Sequence, residues 1–544
     1  MLRRTFNASV LGALGLGATG PFLQASGAEA RPRRSGVLRA CASYEPGSLD
    51  IHKIQAGNML WQARLLYDGL IYLDAAGRPA PWLARSWMVS PDGRTYVFQL
   101  REDVTFSDGV VLDAEAVRAN FERIRGLGGQ SRISAAYLGP YRESVALSPS
   151  SLAVHLDAPF PGFLPFLAQV WMGLISPRQI RDAPEAIEHG AIGSGPFVVA
   201  SYAPGRRVEF RRREDYRWAP AALAHQGPAL LDGVVIEAVR SDADRTSGLK
   251  TGVFDVDLEA SPQSAGPLGE DPGFAFSNRI RPGAPMRGLS FNTARFPFDQ
   301  PEIRRAAALA IDRRTITRDF SAGQYLAKSD YLGSNTAGYD DRWRAALDFD
   351  PAAAARTLDK AGWSQRAADG VRVRDGVRLS AELVTTGDER TPPRTVAAMR
   401  DNLHDVGLEL RLRGVSSAQL ADAVRLGQYD AVAGGWWSAA TPDVLFLLYH
   451  SSQIARQNSF GQDTARISDR ALDDLLLRAW QAPDQVRSRA LYDQAQGRLV
   501  ELAPVVSLHE SHHLFAYRRG VRGLAYDTTH NTPLLTKAWL EPAG

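Results

Sequence analysis

One stretch of the chain has the residue types and spacing of a zinc-hydrolase site. Residues His509–His513 satisfy the pattern H-E-x-x-H, which binds zinc when a helix places both His on one face. The apolar residues on both sides of this stretch predict a strand instead. On a strand Glu510 and His513 point to opposite faces, which separates the base from the second zinc ligand. A zinc-dependent hydrolase therefore stays the alternative function, and His509 is also a candidate for lining a ligand cleft.

The other residues that could take part in catalysis do not form a recognised site. The sequence has no G-x-S-x-G elbow, no P-loop and no G-x-G-x-x-G after a strand. The glycine-rich turn at 193–195 precedes strand-forming residues, which favours a tight crossover over a phosphate cradle. Cys41, the single cysteine, lies in an apolar segment that predicts a buried strand, and Arg39 before it is a poor match to a lipid-attachment site. We therefore expect no enzyme activity, no cofactor and no bound structural metal.

Two adjacent tryptophans are the strongest candidates for contacting a ligand. Trp436 and Trp437 follow Gly434-Gly435. At the period of a strand the two indoles point to opposite faces, so one is expected in the core while the other is free to stack on a ligand. The sequence leaves open which of the two stacks.

Closely spaced elements are predicted between residues 66 and 117. Apolar side chains alternate between Thr95 and Arg101, which is the period of a half-buried strand. Asp113 can cap a helix whose apolar residues recur every three or four positions. Pro-, Asp- and Gly-containing turns separate these elements.

The second half of the chain predicts a β-α-β unit. A strand at 378–384, a helix at 395–406 and a strand at 408–412 imply a parallel pair with a right-handed crossover. Additional helices are predicted at 58–70, 302–313 and 351–360.

Length and composition are those of a multidomain globular protein. A chain of 544 residues exceeds the size of one hydrophobic core, so two or three domains are expected. Hydrophobic residues make up 44% and charged residues 23%, which is ordinary. The formal net charge is only +3 and no long block of like charge occurs, so we expect no binding of nucleic acid.

The first thirty residues predict an export signal. Arg3-Arg4-Thr5-Phe6 precedes an apolar run from Val10 to Leu23, and Ala28-Glu29-Ala30 offers small residues for a signal peptidase. Several glycines interrupt the run, which is too short and too weakly apolar for a stable membrane span. The twin arginine favours the Tat route over Sec.

Several different short motifs follow one another along the chain in a fixed order. The patterns L-Y-D-G-L, D-x-x-G, P-x-L-A-x-S-W, S-x-D-G, L-R-x-x-V-x-F-x-D-G and D-A-E-A-V start at residues 66, 74, 81, 90, 100 and 113. Related patterns start at residues 45, 193 and 287, where Ile51 and Ser194 depart from the usual Pro and Thr. On these motifs the chain resembles family 5 of the extracellular solute-binding proteins, which serve peptide and nickel importers of the ATP-binding-cassette type.

The resemblance implies a mixed α/β (α+β) fold like the type II periplasmic binding proteins, with two lobes around a cleft and an extra inserted domain. Domain I would take residues 31–68, 189–280 and 503–544. Domain II would be the insert, 69–188, and domain III would span 281–502. The ligand would lie between domains I and III, which close on it by hinge motion.

The resemblance also implies which ligands are disfavoured. Peptide-binding relatives carry W-x-A-D-Y-x-D-P, whose first Asp pairs with the ammonium group of the ligand. In this chain Trp437 matches the Trp and Asp443 the later acid, while Ala440 stands at the ammonium-pairing position. Because losing one partner of a buried charge pair is strongly unfavourable, ordinary oligopeptides with a free amino group are not the expected ligand.

The nickel-binding branch is the nearer match. The spacing from His52 to Met59 resembles that branch, and Arg132 matches an Arg that contacts an anionic chelator. A second such Arg is missing near 171–173, and His450 is the nearest His to the metal-coordinating position of the branch. An anionic metal chelate or a modified peptide is therefore the expected ligand. The predicted ligand-binding residues are Tyr44, Met59, Arg132, Trp436, Trp437, Thr441 and His509.

The implied function is that of a monomeric periplasmic binding protein of an ABC importer. It would capture a peptide-like or metal-chelate solute in the cleft and deliver it to permease subunits at the inner membrane. A role in passing ligand occupancy to a sensor is the remaining possibility.

Overall fold

The structure is a computed structural model of the chain. It describes residues 32–43, 47–54, 62–223, 225–386, 393–435, 437–456 and 461–542.

A seven-stranded mixed sheet is built from four separated parts of the chain. In spatial order its strands are Phe274–Ile280, His512–Arg518, Val256–Asp257, Ser35–Ala42, Leu231–Ala238, Arg207–Arg212 and Phe197–Ala203. The strand Ser35–Ala42 runs parallel to both of its neighbours. Cys41 lies in this strand and is fully buried, as predicted, and burial raises the pKa of its thiol far above the ordinary value.

A four-stranded antiparallel sheet occupies the middle of the first half of the chain. Its strands are Ala84–Val89, Thr95–Leu100, Ser151–Leu156 and Tyr141–Ser148, in spatial order. Side chains of Thr95–Leu100 alternate between half-buried and buried, which confirms the predicted strand. Asp113 accepts a hydrogen bond from the backbone N–H of Ala116 and caps the helix Ala114–Leu127, as predicted.

A five-stranded sheet is formed by the second half of the chain. Its strands in spatial order are Glu409–Gly414, Ser380–Thr385, Ala431–Ala433, Met286–Phe291 and Val505–His509. The first two are parallel and are joined through the helix Pro393–Asp405, so the predicted β-α-β unit is confirmed.

Helices pack around these sheets. The α-helices in the described ranges are Ala63–Leu66, Ala114–Leu127, Arg132–Leu138, Phe163–Leu167, Pro177–Asp182, Asp242–Thr251, Ala265–Gly269, Pro301–Ala310, Arg313–Ser321, Pro351–Lys360, Pro393–Asp405, Ser417–Leu426, Val444–Tyr449, Arg470–Trp480 and Gln485–Leu502. Short strands at the periphery are Ile71–Leu73, Pro79–Pro81, Gln365–Arg366, Arg372–Arg374, Val377–Arg378, Val521–Arg522, Ala525–Tyr526, Pro533–Leu534 and Trp539–Leu540. No helix in the described part of the chain is long and apolar enough to cross a membrane.

Two helix predictions were wrong at their ends. The predicted helix 302–313 ends at Ala310, and a separate helix starts at Arg313 because Asp312 caps it through the N–H of Thr315. The predicted helix 58–70 ends at Leu66, where the chain becomes extended, and its part before residue 62 lies outside the described residues.

Two chain crossings connect the seven-stranded and five-stranded sheets. One is residues 281–285, between Phe274–Ile280 and Met286–Phe291, and the other is residues 510–511, between Val505–His509 and His512–Arg518. They lie side by side, because the N–H of Arg281 donates to the carbonyl of Ser511 at 2.7 Å. We call these two crossings the hinge segments, since paired crossings between two sheets are where a lobe rotation is absorbed.

The predicted single strand through His509–His513 was wrong in one respect. The chain changes sheet at Glu510–Ser511, so two strands replace one. The predicted domain boundaries stay a prediction, although the strand Val505–His509, predicted to belong to domain I, pairs with Met286–Phe291 in the five-stranded sheet.

The L-Y-D-G-L motif is anchored to residues 194–218 by its buried Asp68. Asp68 is fully buried and accepts hydrogen bonds from Ser194, Tyr216 and Trp218 at 2.9–3.2 Å. Burial raises the pKa of Asp68 to about 6. The turn of Ser194 also needs glycine at position 193, because a Cβ there would lie 1.9 Å from the carbonyl oxygen of Leu66. The predicted crossover turn therefore allows close packing of two chain segments and is not a phosphate site.

Candidate functional site

Residues 132–171 contact residues 437–480 along a surface that we call the junction. The Tyr137 hydroxyl donates to the carbonyl of Ser438 at 2.7 Å. Phe160 stacks on Trp480 with ring centroids 4.2 Å apart. These contacts join the part of the chain around the four-stranded sheet to the part around the five-stranded sheet.

Arg132 is a half-buried cation at the junction, and it makes no ion pair with a carboxylate among the residues that the structure describes. It starts the helix Arg132–Leu138, and its Nη2 donates to Oε1 of Gln462 at 2.8 Å. Its Nε and the Nε2 of Gln462 are buried without a hydrogen-bond partner among the described residues. Burial lowers the pKa of the Arg132 guanidinium. An anionic group is the partner that such a cation requires.

Trp437 packs against Tyr137, which lies in the same helix as Arg132. The carbonyl of Trp437 accepts from the N–H of Ala284 at 2.7 Å, and its ring meets the Tyr137 ring edge-on at 6.1 Å. Its indole Nε1 is buried and has no acceptor in good hydrogen-bond geometry within the described ranges, although its interaction with the Tyr137 hydroxyl offsets part of the rise that burial gives the pKa of Tyr137. Trp437 thus adds a second, poorly satisfied donor to the junction, whereas Trp436 lies outside the described residues.

In the segment that follows Trp437, Thr441 and Asp443 have hydrogen-bond partners within the protein. The Thr441 hydroxyl donates to Asp443, which also accepts from the Tyr492 hydroxyl at 2.9 Å. Burial raises the pKa of Asp443, and both of its oxygens already have donors. Ala440 is buried in the same segment. No carboxylate of this segment is left to pair with a ligand ammonium group.

A polar turn near the carboxyl end forms the third side of the junction. The Ser438 hydroxyl donates to the carbonyl of Thr529 at 2.8 Å. The ring of the next residue, His530, meets the indole of Trp171 edge-on at 4.9 Å. His530 is fully buried, and its Nε2 has no partner in the described part of the chain.

Sequence reasoning missed His530 and the two glutamines near it. Gln62 and Gln169 are buried, and neither amide group has a hydrogen-bond partner among the residues that the structure describes. The available signal was the polar run Asp527–Thr532, which lacks the glycine or proline of an exposed turn. Nothing in the local sequence marks the two glutamines.

The residues of the H-E-x-x-H motif make separate contacts with different parts of the structure. Glu510 pairs with Lys328 at 3.2 Å and accepts from the N–H of Ser334. Nδ1 of His509 contacts the carbonyl of Glu510. Burial lowers the pKa of the His509 imidazole to about 4. The His509 ring packs beside Tyr325 at 4.8 Å, away from the contacts of Arg132 and Trp437.

His512 and His513 also have hydrogen-bond partners. Nε2 of His513 contacts the carbonyl of Leu258 at 2.9 Å, while Nε2 of His512 accepts from the N–H of Leu326. Burial lowers the pKa of both imidazoles to about 3. Over the described ranges, no group of three or more His, Cys, Asp or Glu residues could hold a metal ion.

Three predicted residues remain to be located. His450 lies on the outer side of the segment 444–453, where its Nδ1 contacts Ser452 and its ring stacks on Phe446. Tyr44 and Met59 lie outside the described residues. Of the predicted ligand-binding residues, Arg132, Trp437 and Thr441 are therefore gathered at the junction, and His509 lies in another part of the structure.

Comparison with known proteins shows the family. The family model described as "Bacterial extracellular solute-binding proteins, family 5 Middle" matches residues 78–458. The chain belongs to this family, whose members are the solute-binding components of ABC importers. The alternative function, a zinc-dependent hydrolase, has no support among the relatives.

Curated relatives share about a quarter of the sequence. The chain is 25% identical over 467 residues to the glutathione-binding protein GsiB of Escherichia coli O6:K15:H31, covering 85% of this chain and 86% of that protein. It is 26% identical over 465 residues to the nickel-binding periplasmic protein of Escherichia coli K12, covering 83% and 85%.

Solved structures confirm the predicted fold. NikA from Brucella suis in complex with Fe(III)-EDTA superposes with a TM-score of 0.79 at 23% identity, covering 93% of this chain and 99% of that one. The periplasmic binding protein DppA from Helicobacter pylori in complex with the peptide STSA gives a TM-score of 0.78 at 23% identity, covering 94% and 99%. The fold is that of the type II periplasmic binding proteins.

Proposed function

We propose that this chain binds an anionic solute at the junction, either a peptide-like compound or a metal chelate, and delivers it to an ABC permease. The observation that carries the proposal is Arg132, a half-buried cation whose Nε is buried without a partner and which makes no ion pair within the described ranges. A buried cation without a counter-charge is strongly unfavourable, whereas a charge-assisted bond to a carboxylate or phosphate offsets that penalty.

Lobe closure follows from the same residues. Arg132 reaches Gln462 across the junction, so a solute anion bound to Arg132 contacts both lobes at once. Such a solute binds the closed arrangement better than an open one, which is the condition for closure. The hinge segments 281–285 and 510–511 allow the rotation.

Trp436 or Trp437 would stack on the solute, and Tyr44, Met59 and Thr441 would shape the rest of the site. The indole N–H of Trp437 is a second donor for an anionic oxygen. Because Ala440 supplies no charge and Asp443 already accepts two hydrogen bonds, a free ammonium group would find no carboxylate in this segment. The proposed solute therefore carries acceptor oxygens and no exposed ammonium group. The relative described as a nickel-binding periplasmic protein supports the metal-chelate form of this proposal.

The export route, the location and the monomeric state of the chain are part of the same proposal. Residues 1–30 would direct the folded chain through the Tat route and be cleaved near Ala30. The mature chain would act in the periplasm as a monomer and would have no catalytic activity. Since the pKa values of His509 and His513 are lowered by burial and both imidazoles already have hydrogen-bond partners, a hydrolase at His509–His513 is not part of the proposal.

Replacing Arg132 by Gln tests the proposed site. A panel of carboxylated peptides, N-acetylated peptides, nickel–histidine and Fe(III)-EDTA is added at saturating concentration, and the melting temperature of the protein is measured. At least one compound should raise it, because ligand that binds only the native state stabilises that state. In Arg132→Gln the affinity for that compound, measured by calorimetry, should fall by about 2–5 kcal/mol.

Arg142→Gln is the matched control, since Arg142 is exposed on the four-stranded sheet beside Glu143. Its affinity should equal that of the wild type. If no compound raises the melting temperature of the wild type, or if both variants bind as well as the wild type, the proposed function is wrong.

A further inference from the structure

Three buried polar side chains outside the contacts of Arg132 carry atoms that lack hydrogen-bond partners among the described residues. Gln62 and Gln169 each leave both amide atoms unpartnered, and His530 leaves Nε2 unpartnered, among the residues that the structure describes. All three are at most 2% exposed. A buried polar atom without a partner is costly, so three such side chains together indicate a binding surface.

Arg64 and Trp171 connect these three side chains. Nε of Arg64 donates to Asp527 at 2.8 Å, and its Nη2 donates to the carbonyl of Ala168, which precedes Gln169. Trp171 follows Gln169 by two residues and contacts the ring of His530. Gln62 precedes Arg64 by two residues. The three side chains therefore come from segments that meet at one place.

The hydrogen bonds of His530 fix its tautomer. The single hydroxyl hydrogen of Thr529 is donated to Asp527, so Thr529 can only accept from the imidazole Nδ1 3.0 Å away. Nδ1 therefore carries the hydrogen, and Nε2 presents a lone pair. Burial lowers the pKa of His530 to about 3, so the ring is neutral at physiological pH.

The surrounding charges disfavour a cation at this lone pair. Nη1 of Arg64 is itself buried without a partner in the described part of the chain. Asp527, the nearest carboxylate in the hydrogen-bond network, is already paired with Arg64 and Thr529. Two amides and one acceptor nitrogen beside an arginine suit an uncharged group that offers both an N–H and a carbonyl oxygen.

We propose that Gln62, Gln169 and His530 form a subsite for an amide group of the solute, with Nε2 of His530 accepting from its N–H. This inference rests on the proposed function and narrows its substrate class. The solute carries an anionic group for Arg132 at one end and an uncharged amide at the other, as in a peptide whose amino end is acylated.

Two substitutions at position 530 distinguish the role of the Nε2 lone pair in binding from the role of the side chain in packing. Asn in His530→Asn keeps a group near Nδ1 for Thr529 but loses the acceptor at Nε2, whereas Gln in His530→Gln offers an acceptor oxygen near Nε2. His155→Asn is the matched control, because His155 contacts Thr95 within the four-stranded sheet. The probes are a mixture of N-acetylated tripeptides, the same tripeptides with free amino ends, nickel–histidine and Fe(III)-EDTA.

The expected result is that the acetylated mixture gives the largest rise in melting temperature of the wild type. The tightest acetylated binder should lose affinity about tenfold or more in His530→Asn, because its N–H is left unpaired, and should recover most of it in His530→Gln. Binding by His155→Asn should be unchanged.

Four results would overturn the inference. If a probe binds the wild type and His530→Asn equally well, or if the free-amine mixture binds best, the amide subsite is wrong while the proposed function stands. If nickel–histidine binding is lost in both position-530 variants while peptides do not bind, Nε2 coordinates metal instead. If no probe binds the wild type, the proposed function fails together with the subsite.

Discussion

At the scale of single residues, the site is marked by polar atoms that the fold buries without partners. Nε of Arg132, Nε1 of Trp437 and Nε2 of His530 are all of this kind within the described ranges. Each lowers the stability of the ligand-free chain by about 1–3 kcal/mol in typical cases. Binding a solute that supplies the missing partners recovers this energy, so the same atoms provide both affinity and selectivity.

Replacing Trp437 by Phe should separate binding from stability. Phe keeps an aromatic ring against Tyr137 but removes the unpartnered N–H. The free energy of unfolding without ligand should change by less than about 1 kcal/mol, because the lost packing and the removed N–H act in opposite directions. Ligand affinity should fall by about 1 kcal/mol or more. Urea unfolding and calorimetry measure the two quantities, and a large loss of stability with unchanged affinity would assign Trp437 to the core.

The residues of the site were predictable only where a family motif reached them. Arg132 and Trp437 were found because they match positions in known patterns, and the structure gathers both at the junction. His530 and Gln169 could not be found in this way. Their importance arises from contacts between segments hundreds of residues apart, such as Ser438 with Thr529, and local spacing carries no information about such contacts.

At the scale of elements, the hinge segments explain the misleading H-E-x-x-H motif. The apolar flanks correctly predicted extended chain, and the strands Val505–His509 and His512–Arg518 are observed. The break between them was not predictable, because it reflects pairing with two different sheets. Glu510 remains at the crossing, where it pairs with Lys328. Helix and strand types were thus readable from periodicity, whereas strand partners were not.

Replacing Gly283 by Ala should damage the hinge. Gly283 has φ of +117°, and a Cβ there would lie 2.1 Å from the carbonyl oxygen of Trp437. The free energy of unfolding should fall by about 2 kcal/mol or more, because both backbone strain and a backbone clash are introduced. Chemical denaturation gives the value.

Gly266→Ala is the control for this substitution. Gly266 lies in the helix Ala265–Gly269, and nothing within 4 Å would meet its Cβ. Its stability should be equal to or slightly above that of the wild type. Equal effects of the two substitutions would contradict the role given to Gly283.

At the scale of the whole molecule, two crossings join the seven-stranded and five-stranded sheets, and the junction lies between the parts of the chain around the four-stranded and five-stranded sheets. In the L-Y-D-G-L motif, Asp68 is bound by Ser194 and Trp218 and makes none of the junction contacts. Motif order therefore predicted the family and the fold, and the family model and solved structures confirm both.

Native mass spectrometry of the protein purified from its own periplasm tests the central claim most directly. The wild type should carry a small molecule that dissociates under denaturing conditions and contains an anionic group, because a half-buried Arg132 retains such a partner. Arg132→Gln, purified in the same way, should be bare. A wild type that carries no small molecule, or an Arg132→Gln variant that carries the same one in equal amount, would contradict the account.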